Sequence, residues 1–207
     1  MSNKQLPIYF TPKGRTNWLK IFKPDTKFDV DGFYGGKLVI DNSDAPEIMG
    51  MLDAMFEKAI ASAVEETGKP ANKIRTTEPY EVDQETGDIT LKFKLKAKIT
   101  TKSGDTFAQK PKVVDAKTKP ITTEIPLWNG SLVRVGFQVI PYYTSLAGAG
   151  LSLRMKSVQV LEALAGTDTS TADFVSEEGY DYSCDTSVAA SAKQPEATQE
   201  YEDDVAF

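Results

Sequence analysis

Apolar and polar residues alternate strictly along Leu91-Lys92-Phe93-Lys94-Leu95-Lys96-Ala97-Lys98-Ile99. A strand with this pattern sends Leu91, Phe93, Leu95, Ala97 and Ile99 to one face and four lysines to the other. A turn at Lys102-Ser103-Gly104-Asp105 predicts a return strand from Thr106 to Val114. Upstream, Trp18 to Lys23 reads as an extended segment stopped by Pro24. Phe33 to Ile40 reads as a second strand, and its Gly35-Gly36 pair signals a bulge or a close backbone approach. Two β-branched and aromatic runs, Gly130 to Tyr143 and Leu151 to Leu161, predict the last strands.

One segment has the helical period instead. Ile48, Leu52, Met55, Phe56, Ala59, Ile60 and Ala63 share a face of a helix from about Ala45 to Glu66. Asp44 and Glu47 predict a capping box, Pro46 suits the first turn, and Gly68 with Pro70 ends the helix. Met49, Met51 and Met55 read as packing residues. Residues 69–90 read as a loop with an edge strand near Tyr80. Its acids Asp83, Glu85 and Asp88 lack the spacing of a calcium loop and form a solvated turn around Gly87.

Several strands, hairpin signals and one inserted helix predict a mainly β fold, an OB-fold-like antiparallel barrel. Phe93 and Phe137 belong to its core, because each shares a face with aliphatic residues. From Gly166 the chain turns to Ser, Thr, Asp, Glu and Ala, too few apolar groups to repay ordering, which predicts a disordered tail. The expected division is a folded domain over 1–165 and a tail over 166–207.

Charge follows the same division. Residues 166–207 hold 11 acidic residues and one lysine, a formal charge of −10. Residues 1–165 hold 23 Lys+Arg against 19 Asp+Glu, a charge of +4. A basic body with an acidic tail points to nucleic-acid work. The tail ends Glu202-Asp203-Asp204-Val205-Ala206-Phe207, so it carries an apolar anchor as well as charge.

Composition narrows the chemistry. The chain has no histidine and one cysteine, Cys184, which excludes Ser-His-Asp and Cys-His catalysis, His-ligated zinc and any internal disulfide. No phosphate-binding glycine motif is present. The expectation is a protein that is not an enzyme and needs no cofactor or metal. No apolar run is long enough for a membrane span, and Met1 to Gln5 do not open a signal peptide, so a cytosolic protein is expected.

Binding a single nucleic-acid strand requires cations for phosphates and exposed aromatics for bases. The body offers Arg15, Lys20, Lys37, Lys92, Lys94, Lys96, Lys98, Arg134, Arg154 and Lys156, with Trp18, Tyr34, Tyr142 and Tyr143 as the aromatic members. Lys23, Phe22, Phe107 and Trp128 are further candidates. Four like charges in one strand row repel at intervals of about 7 Å, and a polyanion would relieve that repulsion.

Gly14-Arg15-Thr16-Asn17-Trp18-Leu19-Lys20-Ile21-Phe22-Lys23-Pro24 and Tyr34-Gly35-Gly36-Lys37-Leu38-Val39-Ile40 resemble the opening of tailed-phage single-stranded DNA-binding proteins. The block from Gly148 to Leu161, followed by an acidic tail with a terminal Phe, resembles their ending. The resemblance covers most of residues 10–165 and the character of the tail. It implies an OB-fold that coats single-stranded DNA in replication, recombination and repair in the cytoplasm of an infected bacterium. It also implies a tail that competes with DNA for the groove and recruits a phage DNA polymerase, helicase-primase or recombination proteins. Glu202, Asp203, Asp204 and Phe207 carry over as that tail site. The tail is long for the resemblance, and a tail of this reach leaves a homodimer open. Two other readings stand beside this one: a scaffold whose basic strand docks an acidic partner, and a magnesium enzyme using Asp29, Asp31 or Asp41.

Overall fold

The computed structural model describes residues 6–27, 29–101 and 104–164. The turn residues Lys102 and Ser103 and the whole tail, with Glu202, Asp203, Asp204 and Phe207, lie outside the described residues. The strands in chain order are β1 (Tyr9–Phe10), β2 (Gly14–Asp25), β3 (Phe33–Ile40), β4 (Thr76–Thr77), β5 (Glu81–Val82), β6 (Ile89–Lys96), β7 (Lys98–Thr100), β8 (Thr106–Ala108), β9 (Lys112–Val114), β10 (Leu132–Thr144) and β11 (Gly148–Glu162). The helix α1 spans Pro46–Thr67.

Five strands close into a ring. β2 pairs β3, β3 pairs β6, β6 pairs β11, β11 pairs β10, and β10 returns to β2; all are antiparallel except β6–β11. This is a mainly β architecture with one helix, as expected from the strand pattern. The short strands β1, β4, β5 and β9 extend the ring at its margins, and β7–β8 form a separate two-stranded arm.

Alternation fills the ring. Ile89, Leu91, Phe93 and Leu95 of β6 point inward and are buried, while Lys92, Lys94 and Lys96 point out. Phe93 meets Phe137 of β10 edge-on, with ring centroids 5.3 Å apart. From α1, Ile48, Leu52, Phe56 and Ala59 join the same core. Each such large apolar side chain contributes about 1.5–3 kcal/mol on leaving water.

Four expectations need correction. The helix has no capping box: Ala45 is the N-cap, without a side-chain hydrogen bond, and Asp41 instead accepts from Ser43. The alternation of β6 ends at Ala97, whose N–H donates to the Gly32 carbonyl, so Ile99 leaves the core face. The return strand is broken into β8 and β9, because Pro111 lacks an N–H for the ladder. The final strand starts at Gly148 rather than Leu151, since Gly148 to Gly150 already pair with β10.

The Tyr80 hydroxyl donates to Asp53 Oδ1 at 2.8 Å and ties the connection before β5 to α1. Lost hydration and the adjacent Asp53 carboxylate push its phenol up to about 12. An alkaline spectrophotometric titration should therefore find one tyrosine, absent in Tyr80→Phe, ionising near there. The stability this contributes is present below pH 10 and is lost as pH rises through about 12. Phe93→Ala should lower folding stability by about 3–5 kcal/mol, read as a fall in the urea midpoint at unchanged slope.

Candidate nucleic-acid interface

The strand register assembles the outer face row by row. Antiparallel partners share a face of the sheet. Lys37 of β3 lies opposite Asn17 on one side and Lys92 on the other. In the next row Gly35 lies opposite Lys20 and Lys94, and Lys94 lies beside Arg154 of β11. Phe33 lies opposite Lys96. Six cations from four strands thus share one surface.

Part of that charge is neutralised within the chain. Lys37 Nζ is 2.9 Å from Glu81, and Lys20 Nζ is 2.8 Å from Asp25. The Lys20 hydrogen bond, aided by the Lys27 N–H, holds the Asp25 carboxyl below the usual range. Lys92, Lys94, Lys96 and Lys98 have no carboxylate partner among the described residues. The Lys94 ammonium instead sits 4.4 Å above the Phe33 ring.

A cleft of about 260 Å³ opens beside this row. Lys94, Lys96 and Arg154 line it together with Ser152, Ile140, Ile99 and Gln109. Ile99 brings the β7–β8 arm to its wall, and Phe107, opposite Ile99, is 57% exposed. Tyr142 shares the face of β10 with Ile140. Gly150 makes room for it, since a Cβ there would fall 2.5 Å from the Tyr142 hydroxyl. A larger cavity of about 610 Å³ lies between β1 and the start of α1. Lys13 and Arg134 face Asp44 and Glu47 there, so it offers no net attraction to a polyanion.

On β2 the alternation is interrupted. Two residues, Trp18 and Leu19, oppose the single residue Gly36, which makes a β-bulge. Trp18 takes the left-handed conformation at φ 53 and the residue is 75% exposed. A bulky residue there is strained by roughly 1–3 kcal/mol. The Trp18 N–H is held by Asn129 Oδ1 at 2.7 Å.

The structure therefore gathers Arg15, Trp18, Lys20, Lys37, Lys92, Lys94, Lys96 and Arg154 on the outside of the ring, with Tyr142 beside them. Other expected members lie apart. Tyr34 is 7% exposed and belongs to the core, because it alternates with Lys37's face. Tyr143 packs against the small cluster of Ala63, Ile74 and Ala149. Arg134 lines the larger cavity. Lys98 pairs with Ala108, on the opposite face of the arm from Ile99. Lys156 sits half-buried at a register shift of β11. Sequence reasoning missed Phe33, Ile99, Ser152 and Asn129. Period-2 spacing from Lys37 gives Phe33 directly; nothing local signals Asn129. The Asp29 carboxylate accepts from the Asp31 N–H and the Asp41 carboxylate from Ser43, each within its own turn, and the described residues contain no acidic cluster suited to a metal ion.

Fold and surface together define a β-ring protein with a basic outer face, whose β6 lysines have no carboxylate partner among the described residues. Residues 16–163 match the family described as single-stranded DNA-binding protein, bacteriophage T7. The chain belongs to this family of tailed-phage proteins. It is 31% identical to the single-stranded DNA-binding protein of Escherichia phage T7 over 206 residues, 89% of this chain and 87% of the relative. The corresponding protein of Enterobacteria phage T3 is 30% identical, over 88% and 85%. The crystal structure of gp2.5, the single-stranded DNA-binding protein encoded by bacteriophage T7, superposes with TM-score 0.72 at 28% identity, covering 86% of this chain and 99% of that one. The single-stranded DNA-binding protein of bacteriophage Enc34, in complex with ssDNA, shares the fold at TM-score 0.53 and 12% identity, over 76% and 87%.

Proposed function

We propose that this chain binds single-stranded DNA along its outer basic face with little sequence preference, without catalysing a reaction. The carrying observation is the lysine row of β6, which no carboxylate neutralises among the described residues. Family membership supports the same reading. Lys92, Lys94, Lys96, Lys37, Lys20, Arg15 and Arg154 contact phosphates and release counterions. Trp18, Tyr142 and the arm's Phe107 offer ring faces to unstacked bases. Duplex DNA keeps its bases stacked and cannot use those faces.

The role extends to coating and protecting single strands in phage replication, recombination and repair, in the cytoplasm of the host. The acidic tail, through Glu202, Asp203, Asp204 and Phe207, competes with DNA for the basic face and, once displaced, recruits replication proteins. The charge division between body and tail, +4 against −10, supports this competition. Dimer formation through exchanged tails belongs to the same proposal.

Fluorescence anisotropy of labelled oligo(dT) and the matching duplex, across a salt series, tests the reading. Single strands should bind more tightly, and log affinity should fall with log salt by about 0.7 per phosphate neutralised. Equal affinity for duplex and single strand would refute it. The double change Lys94→Glu with Lys96→Glu should weaken binding strongly and flatten the salt slope by about 0.7 for each phosphate left without its lysine, with the urea midpoint unchanged. A chain ending at Leu164 should bind oligo(dT) more tightly than the full chain, most of all at low salt. Unchanged affinity would remove the tail from the mechanism.

A further inference from the structure

Both tryptophans of the chain are exposed, Trp18 at 75% and Trp128 at 60%. Large exposed aromatics cost hydration and call for a reason. The two sit on segments far apart in sequence that are fastened to each other. Thr16 Oγ1 donates to the Trp128 carbonyl at 2.9 Å, and the Gly130 N–H donates to the Thr16 carbonyl at 2.8 Å. Ser131 closes the turn, its N–H and its hydroxyl both donating to the Trp128 carbonyl. Gly130 takes φ 88 at the corner of that turn. Asn129, between Trp128 and Gly130, reaches across to the Trp18 N–H. A cation is supplied in place: Arg15 Nη1 donates to the Gly130 carbonyl at 3.3 Å and its side chain stays exposed.

We infer that the turn Trp128-Asn129-Gly130-Ser131, docked on the β2 bulge, joins Trp18 in a two-tryptophan base-stacking subsite for single-stranded DNA. In it Trp18 and Trp128 receive bases, Arg15 takes a phosphate, and Asn129 positions Trp18. The inference rests on the single-strand reading above and extends the DNA path past the lysine row, over the β2 margin. Its logic is conformational. The Trp18 peptide is held in a left-handed bulge by one side-chain oxygen from the turn. A Cβ on the opposing Gly36 would fall 2.5 Å from the Trp18 carbonyl oxygen, so the bulge requires glycine there. Removing the Asn129 oxygen frees the bulge to relax and re-aims the indole. Trp128 belongs to the same turn, so the backbones that carry the two indoles are set relative to one another by the turn's own hydrogen bonds.

With only two tryptophans in the chain, each can be read alone. Trp128→Phe leaves Trp18 as the single fluorophore, and Trp18→Phe leaves Trp128. Full-length single-tryptophan variants, titrated with oligo(dT), should each show quenching that saturates with binding. Trp18→Ala and Trp128→Ala should each weaken binding about 5- to 150-fold and shorten the occluded length on poly(dT). Asn129→Ala should weaken binding in the native background and add nothing in the Trp18→Ala background, because it acts through that residue. Asn129→Asp keeps an oxygen for the Trp18 N–H and should retain the quenching of Trp18 at saturation. Saturable oligo(dT) binding by the single-tryptophan variants with no change in fluorescence would overturn the subsite and leave the lysine row as the interface, as would additive effects of Asn129→Ala and Trp18→Ala. If the unsubstituted chain fails to bind oligo(dT), the parent reading has failed, and the tryptophan pair is then a protein-facing surface.

Discussion

Two adjacent glycines, Gly35 and Gly36, set how closely β3 approaches its neighbours on either side. A Cβ on Gly35 would collide with the Phe93 carbonyl of β6, and one on Gly36 would lie 2.6 Å from Leu19 Cα of β2. The first approach lets β6 sit tight against β3, which aligns Lys94 with Lys20 across the missing side chain. The second admits the extra residue of the β2 bulge. One dipeptide therefore fixes both a continuous cationic row and the outward aim of Trp18. Neither feature survives a larger residue at these positions without a shift of backbone, because the obstructing atoms are themselves backbone.

The lysine row persists because the energies on the two faces of β6 differ in scale. Adjacent like charges about 7 Å apart in water repel by roughly 0.6 kcal/mol per pair. Each buried partner on the inner face, Leu91, Phe93 or Leu95, contributes about 1.5–3 kcal/mol. Burial dominates, so the fold holds the charges in line although no carboxylate among the described residues neutralises them. Among the described residues, partial compensation is found toward the margins, where Glu81 meets Lys37 and Asp25 meets Lys20. Where the sheet meets the cleft, the lysines have no carboxylate partner among the described residues. A strand of nucleic acid entering there replaces small repulsions with attraction to phosphate.

Much of this was legible in the chain because period-2 alternation is a local property. The inward set of β6 and the outward Lys92, Lys94 and Lys96 follow from spacing alone. The same rule, applied strictly, excludes Tyr34 from the face of Lys37, and pairs Phe33 with it instead. Tyr142 and Tyr143 likewise cannot share a face, and only Tyr142 lies toward Ile140. What escaped the rule are its interruptions. The turn at Ala97, the shift beside Lys156 and the bulge at Trp18 each reverse parity, and each depends on a partner distant in sequence. Asn129 reaches Trp18 across 111 positions, which no window on the sequence can detect. Arg134 obeys alternation but lies near the other end of β10, toward the helix, where its neighbours are Asp44 and Glu47.

The proposed interface would combine two kinds of attraction with different dependence on salt. Phosphate binding by lysines weakens as counterions accumulate. Ring stacking does not rely on counterion release, and its strength is set by how firmly each aromatic is aimed. The structure separates them in space: ammonium groups stand on long stems in the middle of the sheet, whereas the backbones of Trp18 and Trp128 are hydrogen-bonded to one another's segments at its margin. Flexible charges suit a ligand whose phosphates arrive at variable spacing. On the proposed reading, a chain so divided would hold a strand of any sequence through its lysines and stack its bases on the tryptophans. An acidic segment competing for the face would displace DNA from the lysines more readily than from the rings, since carboxylates can replace phosphates but offer nothing to stack.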